Sequence, residues 1–533
     1  MSTQREPVYL RRNVVAEPLF NQWYVWSYLI SPATAAMYMA NFHLKVMESF
    51  IAAPQMHAAA LRNPANLGGP FINYGAARVA EIRALREKTI RENAHLLALA
   101  DAIRSLDKTL AEEAEGYSLE PLYEKVPDAL KGYVELVYDR NNHASARFIE
   151  GLLYRSPFYN TSAQSLALKT ADGDERSFVF STPRLADDAL HLDVAFAHPG
   201  VRELFRMKER PGSLGFVREA LGVRDADAEA FSALFTTEPP PTAARFDGAG
   251  VRIRYFGHAC VLFESAQTSV LCDPVVSYPF AGGVARYTFD DLPERLDYVL
   301  LTHNHQDHCL FETLLQLRHK IGTVIVPKNG GGELADPSLR LALQQVGFER
   351  VREIDEMETV EVEGGGITSL PFLGEHAELN IRTKTAYLIN LEGRTAICAA
   401  DSNNVEPRLY GHLREFVGEV DAVFIGMECD GAPLSWLYGP LLTKPLARKM
   451  DQSRRLDGST FEKAIQIVDS LKPGQVYVYA MGQEPWLTYL TSIQYTEQSR
   501  PIVESDRLVA ECLRRGLTAE RLYVRKEILL SPR

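Results

Sequence analysis

The run Thr302-His303-Asn304-His305-Gln306-Asp307-His308 constrains this chain more than any other segment. It follows the apolar stretch Leu296-Asp297-Tyr298-Val299-Leu300-Leu301, which reads as a buried strand. Three imidazoles and a carboxylate therefore sit where a strand gives way to a turn. On extended backbone His303 and His305 project to the same side. The turn that follows frees Asp307 and His308 to face a second centre, the arrangement a dinuclear metal site needs. A lone histidine is usually a satisfied core or surface residue. Four metal-capable side chains within residues 303–308 point instead to a metal site.

Later segments extend the donor set. Leu370-Pro371-Phe372-Leu373-Gly374 ends in the pair Glu375-His376. Neighbours on extended chain point oppositely, so one member of the pair is expected to bind metal. The apolar run 396–400 ends at Asp401, and the run 422–427 ends at Glu428. Beyond Asp401 the only histidine is His412, in a helical-looking stretch over residues 407–417. A late donor is thus either missing or an oxygen, and Glu428 is the best-placed carboxylate. His258, after the alternating stretch 251–256, reads either as a neighbour of the site or as a turn residue. A set this rich in carboxylate favours iron or manganese over the nitrogen- and sulfur-rich sites of zinc.

The His-x-His-x-Asp-His run resembles the signature of the metallo-β-lactamase superfamily, from about Val251 onward. In the zinc hydrolases of that superfamily a histidine is usual at the Glu375-His376 position, and another follows the bridging aspartate. With Glu375, Asp401, Pro32-Ala33-Thr34-Ala35-Ala36 and Gly68-Gly69-Pro70-Phe71, the layout resembles the diiron amino-acid β-hydroxylases related to that of chloramphenicol biosynthesis. The resemblance implies an α+β N-terminal domain followed by a metallo-β-lactamase-like αβ/βα sandwich. It implies that His303, His305 and Glu375 bind one iron, that Asp307 and His308 bind the other, and that Asp401 bridges. Two iron ions (Fe2+/Fe3+), O2 as co-substrate and an electron-donor protein or reductant follow from it. So does a substrate amino acid held as a thioester on an aminoacyl carrier domain of a nonribosomal peptide synthetase. A carboxylate that changes its mode of binding would gate the oxidant; Glu375 and Glu428 are the candidates, Glu428 as a catalytic residue. The alternative is a dinuclear zinc or manganese hydrolase of lactonase or phosphodiesterase type.

At 533 residues the chain exceeds one ordinary domain. The run Thr236-Thr237-Glu238-Pro239-Pro240-Pro241-Thr242 opens an extended connector. This divides residues 1–235, expected to dimerise or dock the carrier, from a linker at 236–250 and a catalytic domain at 251–533. Leu96, Leu99, Ile103, Leu106 and Leu110 mark one face of an amphipathic helix, read as core-facing. A net charge of −12 argues against a nucleic-acid partner. Six scattered cysteines suggest no disulfide framework and fit a cytoplasmic protein. The N-terminal residues 1–6 lack the apolar core of a signal peptide. Asp, Glu, Lys and Arg are absent between Glu17 and Lys45, but polar residues interrupt the stretch. It reads as a buried strand at 23–30 and a buried helix at 32–50 begun by Ser31-Pro32, not as a membrane span. Trp436, Tyr438 and Trp486 are read as core aromatics or pocket walls, and Arg448, Lys449, Arg454 and Arg455 as a solvated basic face or a contact for an acidic carrier.

Overall fold

The computed structural model describes residues 7–63, 66–186 and 189–533, so the leader reading at residues 1–6 lies outside the described residues. The N-terminal half is built on a four-stranded antiparallel sheet, ordered Trp23–Tyr24, Val14–Phe20, Gln164–Thr170 and Leu190–Asp193. Every residue of Val14–Phe20 is buried, so this strand shows none of the alternation of a half-exposed one. The helix Ala94–Glu113 turns its leucine and isoleucine stripe inward, where it packs against Pro32–Tyr38. That is the core-facing reading of the stripe.

The uncharged stretch after Glu17 departs from its reading in one respect. Its strand covers only Trp23–Tyr24, and Ser27–Ile30 is a short helix. A short, wholly apolar run has no period by which to tell strand from helix. Here a tertiary contact decides: the Ser27 hydroxyl donates to the Asn304 carbonyl at 3.2 Å. Pro32 does occupy the first helical turn, but the Ser31 side chain makes no capping bond. A π-helical turn, Met39–His43, separates Pro32–Tyr38 from Leu44–Ala52. Among the described residues no helix is long and apolar enough to cross a membrane.

The C-terminal half holds two seven-stranded sheets. The first runs Val351–Ile354, Ile321–Pro327, Leu296–Leu300, Ser269–Cys272, Cys260–Glu264, Val251–Gly257 and Lys526–Leu530. The second runs Thr359–Val362, Gly365–Leu370, Ala386–Leu391, Arg394–Cys398, Ala422–Gly426, Gln475–Tyr479 and Thr518–Arg521. Val261, Phe263 and Val270 of one sheet meet Ile367, Ile389 and Phe424 of the other in a shared core. The helices Arg408–Val417, Phe461–Leu471 and Arg500–Arg514 cover the outer face of the second sheet. In each sheet four consecutive strands are parallel, and their carboxyl ends open toward one edge, the usual place for a site in such sheets.

The halves share one core. Tyr28 and Ile30 pack in the same cluster as Leu301, Cys309 and Leu315. Buried ion pairs reinforce the contact: Arg176 meets Glu17 at 2.6 Å and Glu312 at 2.8 Å, and Arg184 meets Glu17 at 2.6 Å. The Tyr24 and Tyr278 hydroxyls also donate to Glu312. Glu312 lies in the helix Phe311–Leu317, directly after the histidine run.

Candidate metal centre

Leu296–Leu300 lies between two parallel neighbours and ends just before Thr302. The end of the adjacent strand Ser269–Cys272 supplies Asp273, fully buried, with φ +37°. Asp273 accepts the Thr302 N–H at 2.7 Å and the Thr302 hydroxyl at 2.6 Å, and lies 2.8 Å from His308 Nδ1. That contact fixes the His308 ring with Nε2 facing Asp401 Oδ2 at 3.1 Å. His305 places Nδ1 2.6 Å from Glu375 Oε1 and Nε2 2.7 Å from the Tyr438 hydroxyl. His258 Nδ1 accepts the Gly482 N–H at 3.1 Å, which in a neutral ring leaves the proton on Nε2, 3.3 Å from Asp307 Oδ2.

Donor atoms gather in three overlapping groups, each within 4.8 Å: His303, His305 and Glu375; His303, His308 and Asp401; His258, Asp307 and His308. All six sequence-nominated donors are thus brought together. His376 joins none of these groups. Its ring stacks on His305 at 4.6 Å, and its Nδ1 lies 2.7 Å from Glu375 Oε2. The donor set also fits a metal by a second criterion. His303 Nε2 and Asp401 Oδ1 are buried without a hydrogen-bond partner. Unpaired buried polar atoms each cost about 1–3 kcal/mol, a cost that coordination removes.

The backbone around these donors is held off its easy conformations. His258, Glu375 and Ala400 all have positive φ, at +52°, +62° and +47°. Such strain persists only where surrounding structure enforces it. Gly426 lets the Asp401 turn approach: a Cβ there would lie 2.9 Å from Asp401 Oδ1 and overlap the Ala400 carbonyl oxygen.

The electrostatics suit deprotonated ligands. Burial and the surrounding imidazoles push the His303 pKa well below its ordinary value, which keeps the ring neutral. Burial alone would raise Glu375 and Asp307, yet the neighbouring histidines hold both carboxyls below the usual carboxylate range. His308 moves the other way: burial disfavours its charge, but the Asp401 and Asp273 carboxylates outweigh it. Metal binding there would release a proton.

A cavity of about 660 Å³ opens onto the donors. His305, Asp307, Glu375 and Asp401 line it, with Trp26, Phe42 and Phe180 from the N-terminal half and Trp436 and Tyr495 from the C-terminal half. Glu428 also lines this cavity but, against the expectation of a further ligand, joins no donor group. Its carboxylate is turned to the Gly431 and Asp430 N–H groups and the Tyr495 hydroxyl. The three late aromatics separate: Trp436 lines the cavity, Tyr438 bonds His305, and Trp486 lies against the Arg286 guanidinium at 4.5 Å. The basic cluster separates too. Arg448 and Lys449 are exposed, whereas Arg454 and Arg455 donate to the carbonyls of Ala377, Asp430 and Gly431 and tie loops together beside the cavity.

Asp273, His258 and Tyr438 are the functional residues the sequence left unassigned or undecided. An aspartate ending the strand next to a metal-binding run is the one local signal that was there to read.

Residues 9–239 match the family described as the diiron non-heme beta-hydroxylase N-terminal domain, and residues 268–478 match the beta-lactamase superfamily domain. A Streptomyces venezuelae 3-hydroxylase, named for 4-amino-L-phenylalanyl CmlP peptidyl carrier protein, is 42% identical over 531 residues, covering 98% of this chain and 99% of that one. The crystal structure of CmlA, a diiron beta-hydroxylase from the same organism, superposes with a TM-score of 0.93 at 41% identity, covering 99% of this chain and 100% of that chain. A point mutant of the CmlA beta-hydroxylase gives a TM-score of 0.90 at 40% identity over 98% of this chain and 100% of that chain.

Proposed function

The chain belongs to the non-haem diiron β-hydroxylases, and from that membership we propose that it hydroxylates the β-carbon of an amino acid held as a thioester on a peptidyl carrier domain of a nonribosomal peptide synthetase. The observation that carries this reading is the set of three buried imidazoles and three buried or half-buried carboxylates opening onto a cavity walled by both halves of the chain. We assign His303, His305 and Glu375 to one iron, Asp307 and His308 to the other, and Asp401 to the bridge. Bound there, two iron ions supply the redox chemistry that couples O2 and electrons from an external donor to C–H hydroxylation.

The protein's own part is to hold the donors ready and aim the substrate. Asp273 sets the His308 ring, Tyr438 sets His305 and His258 faces Asp307, so each of these three donors is oriented by a second residue. The aromatic wall excludes water and receives the acyl side chain, which limits the orientations a C–H bond can take.

The test uses iron-loaded, full-length protein with an aminoacyl-loaded carrier, a chemical reductant and 18O2. The expected product is an intact aminoacyl carrier bearing one oxygen atom from O2, read by mass spectrometry. Release of the free amino acid by thioester hydrolysis, with no 18O incorporated, would place the chain with the hydrolases instead.

A further inference from the structure

Glu428 lies just beyond the strand Ala422–Gly426, on the cavity wall. Oε2 accepts the Gly431 N–H at 2.6 Å, and Oε1 accepts the Asp430 N–H and the Tyr495 hydroxyl, each at 3.3 Å. These contacts fix both oxygens but bring no positive charge. Among the described residues that line the cavity there is neither lysine nor arginine. Asp307, Glu375 and Asp401 also face it, but they belong to the donor groups, whose charge bound metal neutralises. Asp430 has a partner of its own in Arg500, at 3.5 Å. Glu428 is therefore the one lining carboxylate without a cation, among the described residues.

Glu428 is partly buried, and a carboxylate even partly withdrawn from water without a counter-charge is costly. Burial raises the Glu428 pKa to about 7. A ligand that brings its own cation removes that cost. An aminoacyl thioester carries one such group, the α-ammonium, and its carbonyl has lost the negative charge of the free acid. Resting on the carrier-bound reading above, we propose that Glu428 binds the α-ammonium of the aminoacyl thioester. It thereby anchors one end of the substrate while the wall of Trp26, Phe42, Phe180 and Trp436 takes the side chain, and it selects aminoacyl chains over acyl chains that lack the amine.

The test is anaerobic equilibrium binding by calorimetry, with iron-loaded full-length protein and no reductant. The probes are the pantetheine thioesters of L-phenylalanine and of 3-phenylpropionic acid, with free L-phenylalanine as a third arm. Wild type is expected to bind the aminoacyl thioester about tenfold tighter or more than the 3-phenylpropionyl thioester, the worth of one charge-assisted hydrogen bond. In Glu428→Gln that preference should vanish, while the 3-phenylpropionyl thioester binds as before; its unchanged affinity shows that the cavity is intact. A preference that survives in Glu428→Gln overturns the proposal. So does a wild type that treats the two thioesters alike, or a variant that loses both equally. If free L-phenylalanine binds and neither thioester does, the carrier-bound reading itself fails and takes this inference with it.

Discussion

Glu375 and His376 are neighbours in sequence with opposite assignments. Glu375, at positive φ, is turned into the donor group of His303 and His305, while His376 lies flat against the His305 ring. Glu375→Ala should therefore lose at least half of the bound iron, and His376→Ala should keep both ions. Iron per chain, measured after gel filtration, decides the point; the reverse result would hand the position to the imidazole. The residues that orient the donors were harder to read than the donors. His303 to His308 announce themselves by density. Asp273 reads only as the end of a strand, because its partners Thr302 and His308 come to it through a parallel pairing that the sequence does not display. Tyr438 is an aromatic among many until the fold puts its hydroxyl against His305. Glu428 was legible as a carboxylate at a strand end, but not its hold on the Gly431 N–H, which belongs to the turn that follows.

At the scale of elements, the helix Phe311–Leu317 joins the metal-binding run to the N-terminal half. Its Glu312 takes Arg176, Tyr24 and Tyr278 at once in a buried setting. Glu312→Ala would leave two hydroxyls without their acceptor and Arg176 with Glu17 alone. The expected cost is about 3–5 kcal/mol, typical of breaking a buried ion pair. It would appear as a fall of several degrees in melting temperature; an unchanged midpoint would show that the network adds nothing. The strands Leu296–Leu300, Arg394–Cys398 and Ala422–Gly426 were legible because each carries a short apolar run that ends at a turn. The segment 23–30 was not, because burial on all sides erased its period. The π turn Met39–His43 has no local signature either, yet it carries Asn41, Phe42 and His43 into the cavity wall.

For the whole molecule, the division at the proline run is real in sequence but weak in packing. The N-terminal half was expected to dimerise or dock a carrier; the structure adds that it walls the cavity and shares the core and buried ion pairs of the C-terminal half. A chain lacking residues 1–239 would expose that shared core. We expect such a fragment to aggregate and to yield no soluble, iron-binding species. A monodisperse, iron-loaded fragment by light scattering would show that the C-terminal sandwich is self-sufficient. The partition of the cavity has a further consequence. The side chains assigned to the metal come from the ends of sandwich strands, while much of the wall comes from segments more than a hundred residues away, around Trp26, Phe42 and Phe180. Over generations these two parts can drift at different rates. A lineage could exchange one amino acid for another as its substrate by varying the N-terminal wall, with the reactive centre inherited unaltered.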